Sequence, residues 1–353
     1  MDVELGLIEG FYGKPWSWAE RAEAVSFLAP HGYRFFHYAP KDDEFLRRRW
    51  RERHPDHELA ELAALGTTCR KNGVRFGLGL SPYELYRDFN EAARLELAAK
   101  LKTLDGTGVE DLAILFDDMR GDRPDLARQQ AAIVEFIAAR TRASRLIVCP
   151  TYYTDDPSLD HFFGPRPQGY LRELGAFLDK AIAIQWTGPK VCSKEFSPKH
   201  LERVTEEMGR KPFLWDNYPV NDGPRMSQHL HLRAFTGRPS TIGPHISAHG
   251  VNPASQPVLS RIPAITLSLS YTKGAAYDDQ AAFRIAARAV LGEALAEAVE
   301  QDLTALQDQG LGKLTAERPA LRARYVGFDH PAAHEIVAWL DGDYAVRGET
   351  APT

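Results

Sequence analysis

"DLAILFDD", residues 111 to 118, is the stretch on which the fold turns. "LAILF" is a short unbroken apolar run with no polar alternation, as expected for a strand buried on both faces of a parallel sheet. It stops abruptly at two adjacent carboxylates. Working outward, the same design recurs in "VELGLIEG" (3 to 10), "YRFFHYAP" (33 to 40), "VRFGLGLS" (74 to 81), "RLIVCPTY" (145 to 152), "AIAIQWTG" (181 to 188), "PFLWDN" (212 to 217) and "TIGPHIS" (241 to 247). Between these runs lie segments such as "SWAERAEAVSFLA" and "RQQAAIVEFIAART", apolar at i, i+3 and i+4, which read as helices laid over a parallel sheet. Strand and helix alternating through eight candidate strands predict an α/β fold of the (β/α)8 TIM-barrel type. An open doubly wound sheet is the alternative, but no GxGxxG follows the first strand, so a dinucleotide-binding version of it lacks its pyrophosphate turn.

Beyond residue 255 the pattern turns helical, in "FRIAARAVLGEALAEAVEQDLTAL" and "HEIVAWLDGDYAV". The expected organisation is a catalytic barrel over 1–255, with its closing helix reaching about residue 275, and a small helical appendage over 276–353 packed on it. No internal repeat or low-complexity tract interrupts the chain.

Composition narrows the function classes. The 353 residues are 44% hydrophobic and 26% charged, with net charge -5 and pI near 6.2. That balance is typical of a compact globular protein and offers no basic field for nucleic acid or anionic lipid. No apolar run approaches the roughly 20 residues that span a bilayer. Cys69, Cys149 and Cys192 are odd in number and widely spaced, which predicts neither a disulfide framework nor a zinc site. With no signal-like start, the expected location is cytoplasmic.

In a (β/α)8 barrel the strand C-termini and the loops after them build the active site. Those positions carry Glu9, Gly10, Phe11 and Tyr12; Lys41, Asp42 and Asp43; Asp117 and Asp118; Tyr152 and Tyr153; Trp186, Thr187 and Gly188; Trp215, Asp216, Asn217 and Asp222; and His245 and Asn252. Aromatic faces packing on pyranose C–H groups, with amides and carboxylates for the hydroxyls, would make a sugar pocket. Asp117-Asp118 reads in two ways. Like charges in a poorly solvated mouth would raise at least one carboxyl and supply a general acid; alternatively, one Asp caps a helix and the other is solvated.

In order along the chain, "GLIEGFYGKPW", "YAPKDD", "LFDDM", "CPTYY", "WTGPK" and "WDNYPVND" resemble the motifs of glycoside hydrolase family 84, the β-N-acetylglucosaminidases that include protein O-GlcNAcase. The resemblance runs from the first strand to about residue 255. It implies retaining, substrate-assisted hydrolysis of terminal β-linked GlcNAc through an oxazoline, with no cofactor and no metal, on a GlcNAc-bearing glycoside or glycoprotein. By resemblance Asp117 orients the acetamido group and Asp118 is the general acid/base. Gly10 presents a carbonyl, Lys41 and Asn252 contact sugar hydroxyls, Asn217 holds the acetamido carbonyl, and Asp222 the 4- and 6-hydroxyls. Tyr153 lies near the acetamido group, and Tyr12, Trp215 and Trp186 form walls. Gly223 departs from the family, standing where animal enzymes carry an aromatic. The resemblance is to a bacterial homologue; this sequence also lacks the animal proteins' stalk insertions and acetyltransferase-like part, which leaves open what a peptide aglycone would touch.

Other readings remain at the residue level. Glu9 reads as structural, and Asp42 and Asp43 as fixing the loop that bears Lys41. Cys149 lies in an apolar strand with no base beside it and reads as inert. His229, His231, His245 and His249 raise a metal-dependent amidohydrolase or deacetylase of N-acetyl sugars, but "QHLHLRAF" reads as a helix, where i and i+2 do not share a face. A non-catalytic GlcNAc-binding protein is the remaining alternative.

Overall fold

A computed structural model describes residues 3–346; residues 1–2, and the last seven of the 276–353 segment, lie outside the described residues. Eight parallel strands close into a barrel in chain order: β1 (Leu5–Glu9), β2 (Tyr33–Tyr38), β3 (Arg75–Leu80), β4 (Asp111–Leu115), β5 (Arg145–Cys149), β6 (Ala183–Trp186), β7 (Phe213–Asp216) and β8 (Ala248–Val251). β1 pairs with both β2 and β8, which closes the ring. The fully buried β4 run, including Leu112 and Ile114, confirms the two-faced burial its sequence predicts. Truncating either to Ala would cost about 2–5 kcal/mol.

Helices α1 (Trp18–Leu28), α2 (Asp56–Lys71), α3 (Glu91–Asp105), α4 (Leu126–Ala138), α5 (Ser158–Phe163), α6 (Tyr170–Phe177), α7 (Pro198–Met208) and α8 (Arg261–Lys273) surround the strands. Ser17 and Glu20 form a capping box that starts α1. Strand glycines make room for large neighbours inside the barrel: a Cβ on Gly77 would come within 2.3 Å of the His37 ring, and one on Gly6 within 2.2 Å of Phe35. Small and large residues thus alternate in the filled interior. Among the described residues no helix is long and apolar enough to cross a membrane.

Two expectations near the last strand are corrected. "TIGPHIS" is not β8; Ser240–His245 forms a 3-10 turn and the strand follows at Ala248–Val251. Pro244 has no N–H to give a central ladder, so pairing begins only after it. "QHLHLRAF" is not a helix either. After a short turn at Met226–Gln228 the chain is irregular, and its N–H groups go to a distant segment instead of to the preceding turn: Leu230 N to Leu306 O at 3.0 Å, and Leu232 N and Arg233 N to the Gln307 side chain at 2.7 Å each. The β7–β8 connection therefore carries 3-10 turns in place of an α-helix.

After α8 come α9 (Asp279–Leu291), α10 (Glu293–Leu303), α11 (Arg318–Val326) and α12 (Pro331–Asp341). Trp339 and Ile336 of α12 are wholly buried in the same continuous core as the barrel strands. Polar ties reach the loops at the strand C-termini. Glu335 accepts the N–H groups of Val258 (2.8 Å) and Leu259 (2.9 Å), Trp339 Nε1 donates to Ser227 O at 3.1 Å, and Lys14 sits 4.7 Å from the centre of the Tyr344 ring. Burial raises the Glu335 carboxyl to about 7, against the pull of those two N–H groups. Gly223 is itself buried, and the loop it opens is bound at Ser227 by both Trp339 and Val346.

Candidate active site

The loops after the strands converge on a pocket with roughly 490 Å³ of free space, its open mouth included. Ten of the residues expected from the sequence line it: Gly10, Tyr12, Lys41, Asp117, Asp118, Tyr153, Trp215, Asn217, Asp222 and Asn252. Thr187, Val191, Cys192, Val220 and Cys149 complete the wall.

Asp117 and Asp118 follow β4 after Phe116, and Lys41, from the loop after β2, bridges them. Its ammonium bonds Asp117 Oδ2 and lies 3.4 Å from Asp118 Oδ2. Asp118 is further tied by the Tyr12 hydroxyl at 2.7 Å and more loosely by that of Tyr153 at 3.5 Å. Asp117 Oδ1, by contrast, is buried with no protein partner. A buried carboxylate oxygen without a donor is costly, and it marks where a ligand N–H would be received.

The electrostatics differ from the like-charge expectation. Burial raises the Asp118 carboxyl, yet Lys41 and Arg47, together with hydrogen bonds from Tyr12 and Lys41, outweigh it and hold the group below the ordinary carboxylate range. Repulsion from Asp117 does not decide the matter, because cations from a neighbouring loop stand against the pair. The raised carboxyl is Asp222 instead. Burial pushes it up to about 6, with the Asp118 charge adding to the rise, against the Tyr12 N–H at 2.9 Å, its own N–H and a weaker pull from Lys41.

Opposite the acids, amides set the wall. Asn217 Oδ1 accepts from Trp215 Nε1 and Asn252 Nδ2, both at 3.0 Å, while its Nδ2 donates to Val191 O at 2.9 Å. Asn252 Oδ1 accepts the Gly10 N–H at 3.2 Å. The absence of a side chain at Gly10 has a steric reason: an added Cβ would sit 2.3 Å from Trp215 Cζ2. The glycine lets the indole lie flat against the strand end and form the wall.

Several expected residues lie elsewhere. Trp186 is fully buried and does not line the pocket; its Nε1 donates to His200 Nε2 at 3.1 Å in the helical layer, because alternation along β6 turns it outward. Glu9 pairs with Arg21 of α1 at 2.7 Å, both buried. Asp42 accepts the Gly13 N–H at 3.0 Å and Asp43 that of Leu46 at 3.1 Å. Cys149 does reach the pocket wall, but its thiol is pushed far up by burial.

The histidines of the metal alternative go to separate partners: His229 to Gln307 O, His231 to Pro219 O and Val220 O, His245 to Glu202, and His249 to Asp216 and Tyr271. Among the described residues no three His, Cys, Asp or Glu side chains come together as metal ligands. Arg47 was not singled out in the sequence. It is buried between the rings of Tyr12 and Tyr83, beside Asp118, and its only sequence signal is its place on the Lys41 loop.

Comparison with known proteins agrees with this geometry. Protein O-GlcNAcase of Rattus norvegicus and that of Mus musculus are each 30% identical over 262 residues, covering 70% of this chain and 28% of theirs. The chain thus spans under a third of the length of these relatives. A mutant of Thermobaculum terrenum O-GlcNAc hydrolase superposes with a TM-score of 0.79 at 29% identity, over 96% of this chain and 80% of that one. A family model described as beta-N-acetylglucosaminidase matches residues 5–307, so the chain belongs to the beta-N-acetylglucosaminidase family.

Proposed function

We propose that the protein is a retaining exo-β-N-acetylglucosaminidase that releases terminal β-linked GlcNAc, from Ser or Thr of proteins or from other glycosides, through an oxazoline. One observation carries this reading: a buried Asp117 oxygen without a partner, immediately beside a second carboxylate held by Lys41 and Tyr12. Asp117 Oδ1 would accept the acetamido N–H and stabilise the positive charge that grows there as the acetamido oxygen attacks C1. As the C1–oxygen bond to the aglycone breaks, Asp118 would give its proton to the departing oxygen, and later take one from the water that opens the oxazoline. No carboxylate nucleophile is needed, as in other substrate-assisted glycosidases.

Asp118 is held low with Lys41 against it, so acid function needs a change on binding. A sugar hydroxyl that draws Lys41 away, in a pocket stripped of water, would raise the carboxyl. Asn217 and Tyr153 would face the acetamido carbonyl, Gly10 and Lys41 the neighbouring hydroxyl, and Asp222 and Asn252 the far end of the ring, with Tyr12 and Trp215 as walls. In this reading 1–255, with the closing helix to about 275, is the catalytic barrel and 276–353 its helical appendage. Three free cysteines, two of them buried, support a reducing compartment such as the cytoplasm.

The test is product analysis by NMR with a GlcNAc-β-O-serine peptide. Release of β-configured GlcNAc, lost in Asp117→Asn, is expected. Release of acetate would point instead to a deacetylase.

A further inference from the structure

Among the described residues only two non-glycine residues, Asp118 (φ 57°) and Glu84 (φ 54°), have positive φ. The fold brings them together: the Glu84 N–H donates to Met119 Sδ at 3.4 Å. Left-handed backbone costs Asp modestly and Glu more, and the surroundings must offset that cost. Arg47 is the residue that spans this place. Its Nη2 makes a long bond, 3.4 Å, to the Asp118 carbonyl, and its guanidinium lies 5.7 Å from the centre of the Tyr12 ring and 5.6 Å from that of Tyr83. Tyr12 in turn donates to the Asp118 carboxylate. One side chain therefore touches the acid's main chain, the tyrosine that aims its carboxylate, and the loop that holds the second strained residue.

The platform beneath Arg47 is itself rigid. Asp43 caps the Glu44–Leu46 turn, and its carboxylate also receives Tyr38 OH at 3.0 Å and His54 Nε2 at 3.2 Å.

We propose that Arg47 is a positioning residue for proton transfer, bracing the left-handed backbone of Asp118 and fixing the direction of its carboxyl through Tyr12. This rests on the reading of Asp118 as the acid. Besides bracing, Arg47 contributes charge. Facing the Asp118 carboxylate are Tyr12 from the β1 loop, Lys41 and Arg47 from the β2 loop, Asp117 beside it, Cys149 and Tyr153 from β5 and its loop, and Asp222 from the β7 loop. Arg47 and Lys41 are the two cations of that set. Removing Arg47 lets the carboxyl rise, so the alkaline limb of the kcat/KM profile moves to higher pH.

The experiment compares wild type, Arg47→Met, Arg47→Lys and Asp118→Ala on two aryl β-GlcNAc substrates, one with an acidic phenol and one with a poor leaving group, across pH. Arg47→Met should lose at least about tenfold on the poor leaving group, with a much smaller loss on the acidic phenol and a raised alkaline limb. Arg47→Lys keeps the charge but lacks the fork, so its limb should stay in place while the leaving-group difference persists. Equal losses on both substrates in the Arg47 variants, with an unmoved limb and unequal losses in Asp118→Ala, would overturn the brace alone. Equal losses in Asp118→Ala as well would overturn the assignment of the acid, and the brace with it.

Discussion

Replacing Asp222 by asparagine removes a charge that the fold buries against its preference. The carboxyl is pushed from 3.8 to about 6, chiefly by burial, and it is only 6% exposed. That gap is worth about 3 kcal/mol at 1.36 kcal/mol per pKa unit. Because the folded value lies above the unfolded one, the folded chain holds the proton more tightly between pH 3.8 and about 6. Stability from this group therefore falls as pH rises through that window, and above it the full cost stands. Asparagine does not titrate, yet its oxygen can still accept the Tyr12 N–H that Asp222 Oδ2 now receives. Asp222→Asn should match wild type near pH 4 and exceed it by up to about 3 kcal/mol at pH 7.5, equivalent to about 4 °C in Tm for a chain of this size. Thermal unfolding in buffers from pH 4 to 8 reads this directly, and hydrolysis should fall in parallel because a sugar contact is weakened. A difference in Tm that does not change with pH would refute the argument.

Gly10→Val should abolish sugar binding and also cost about 1–3 kcal/mol of stability, since its Cβ alone would sit 2.3 Å from Trp215; binding by calorimetry and denaturant melts would show both, and unchanged binding would refute the packing argument. Tyr12→Phe removes the 2.7 Å bond to Asp118, so the alkaline limb of kcat/KM should shift upward with little change in melting temperature. Glu335→Gln leaves one of the Val258 and Leu259 N–H groups without an acceptor and should lower stability by about 1–3 kcal/mol near pH 4, with a smaller loss at pH 8, where the native carboxyl, raised to about 7, must ionise in its buried site; thermal melts across that range read the difference.

The barrel was legible because buried parallel strands repeat one plain signal, an apolar run ending at polar residues, and the pocket was legible because those ends are where a barrel keeps its chemistry. β8 was misplaced because its own sequence, "AHGV", is too short and small to stand out beside the more apolar "TIGPHIS". The motif order points Trp186 to the wall because it says nothing of which face of β6 the side chain takes. The Asp118 electrostatics depend on Arg47, which sequence distance separates from the acid by 71 residues and which reads locally as one more surface arginine. Contacts between loops of different strands are set by barrel closure, and no local pattern announces them.

In the proposed reaction the substrate's own acetamido oxygen is the nucleophile. It is tested most directly with aryl glycosides whose acetamido methyl carries zero, one, two or three fluorines, each fluorine making that oxygen a poorer nucleophile. If that oxygen attacks C1, kcat/KM falls at every step, by about tenfold or more across the series. A flat series, or a sugar covalently trapped on a protein carboxylate, would contradict it.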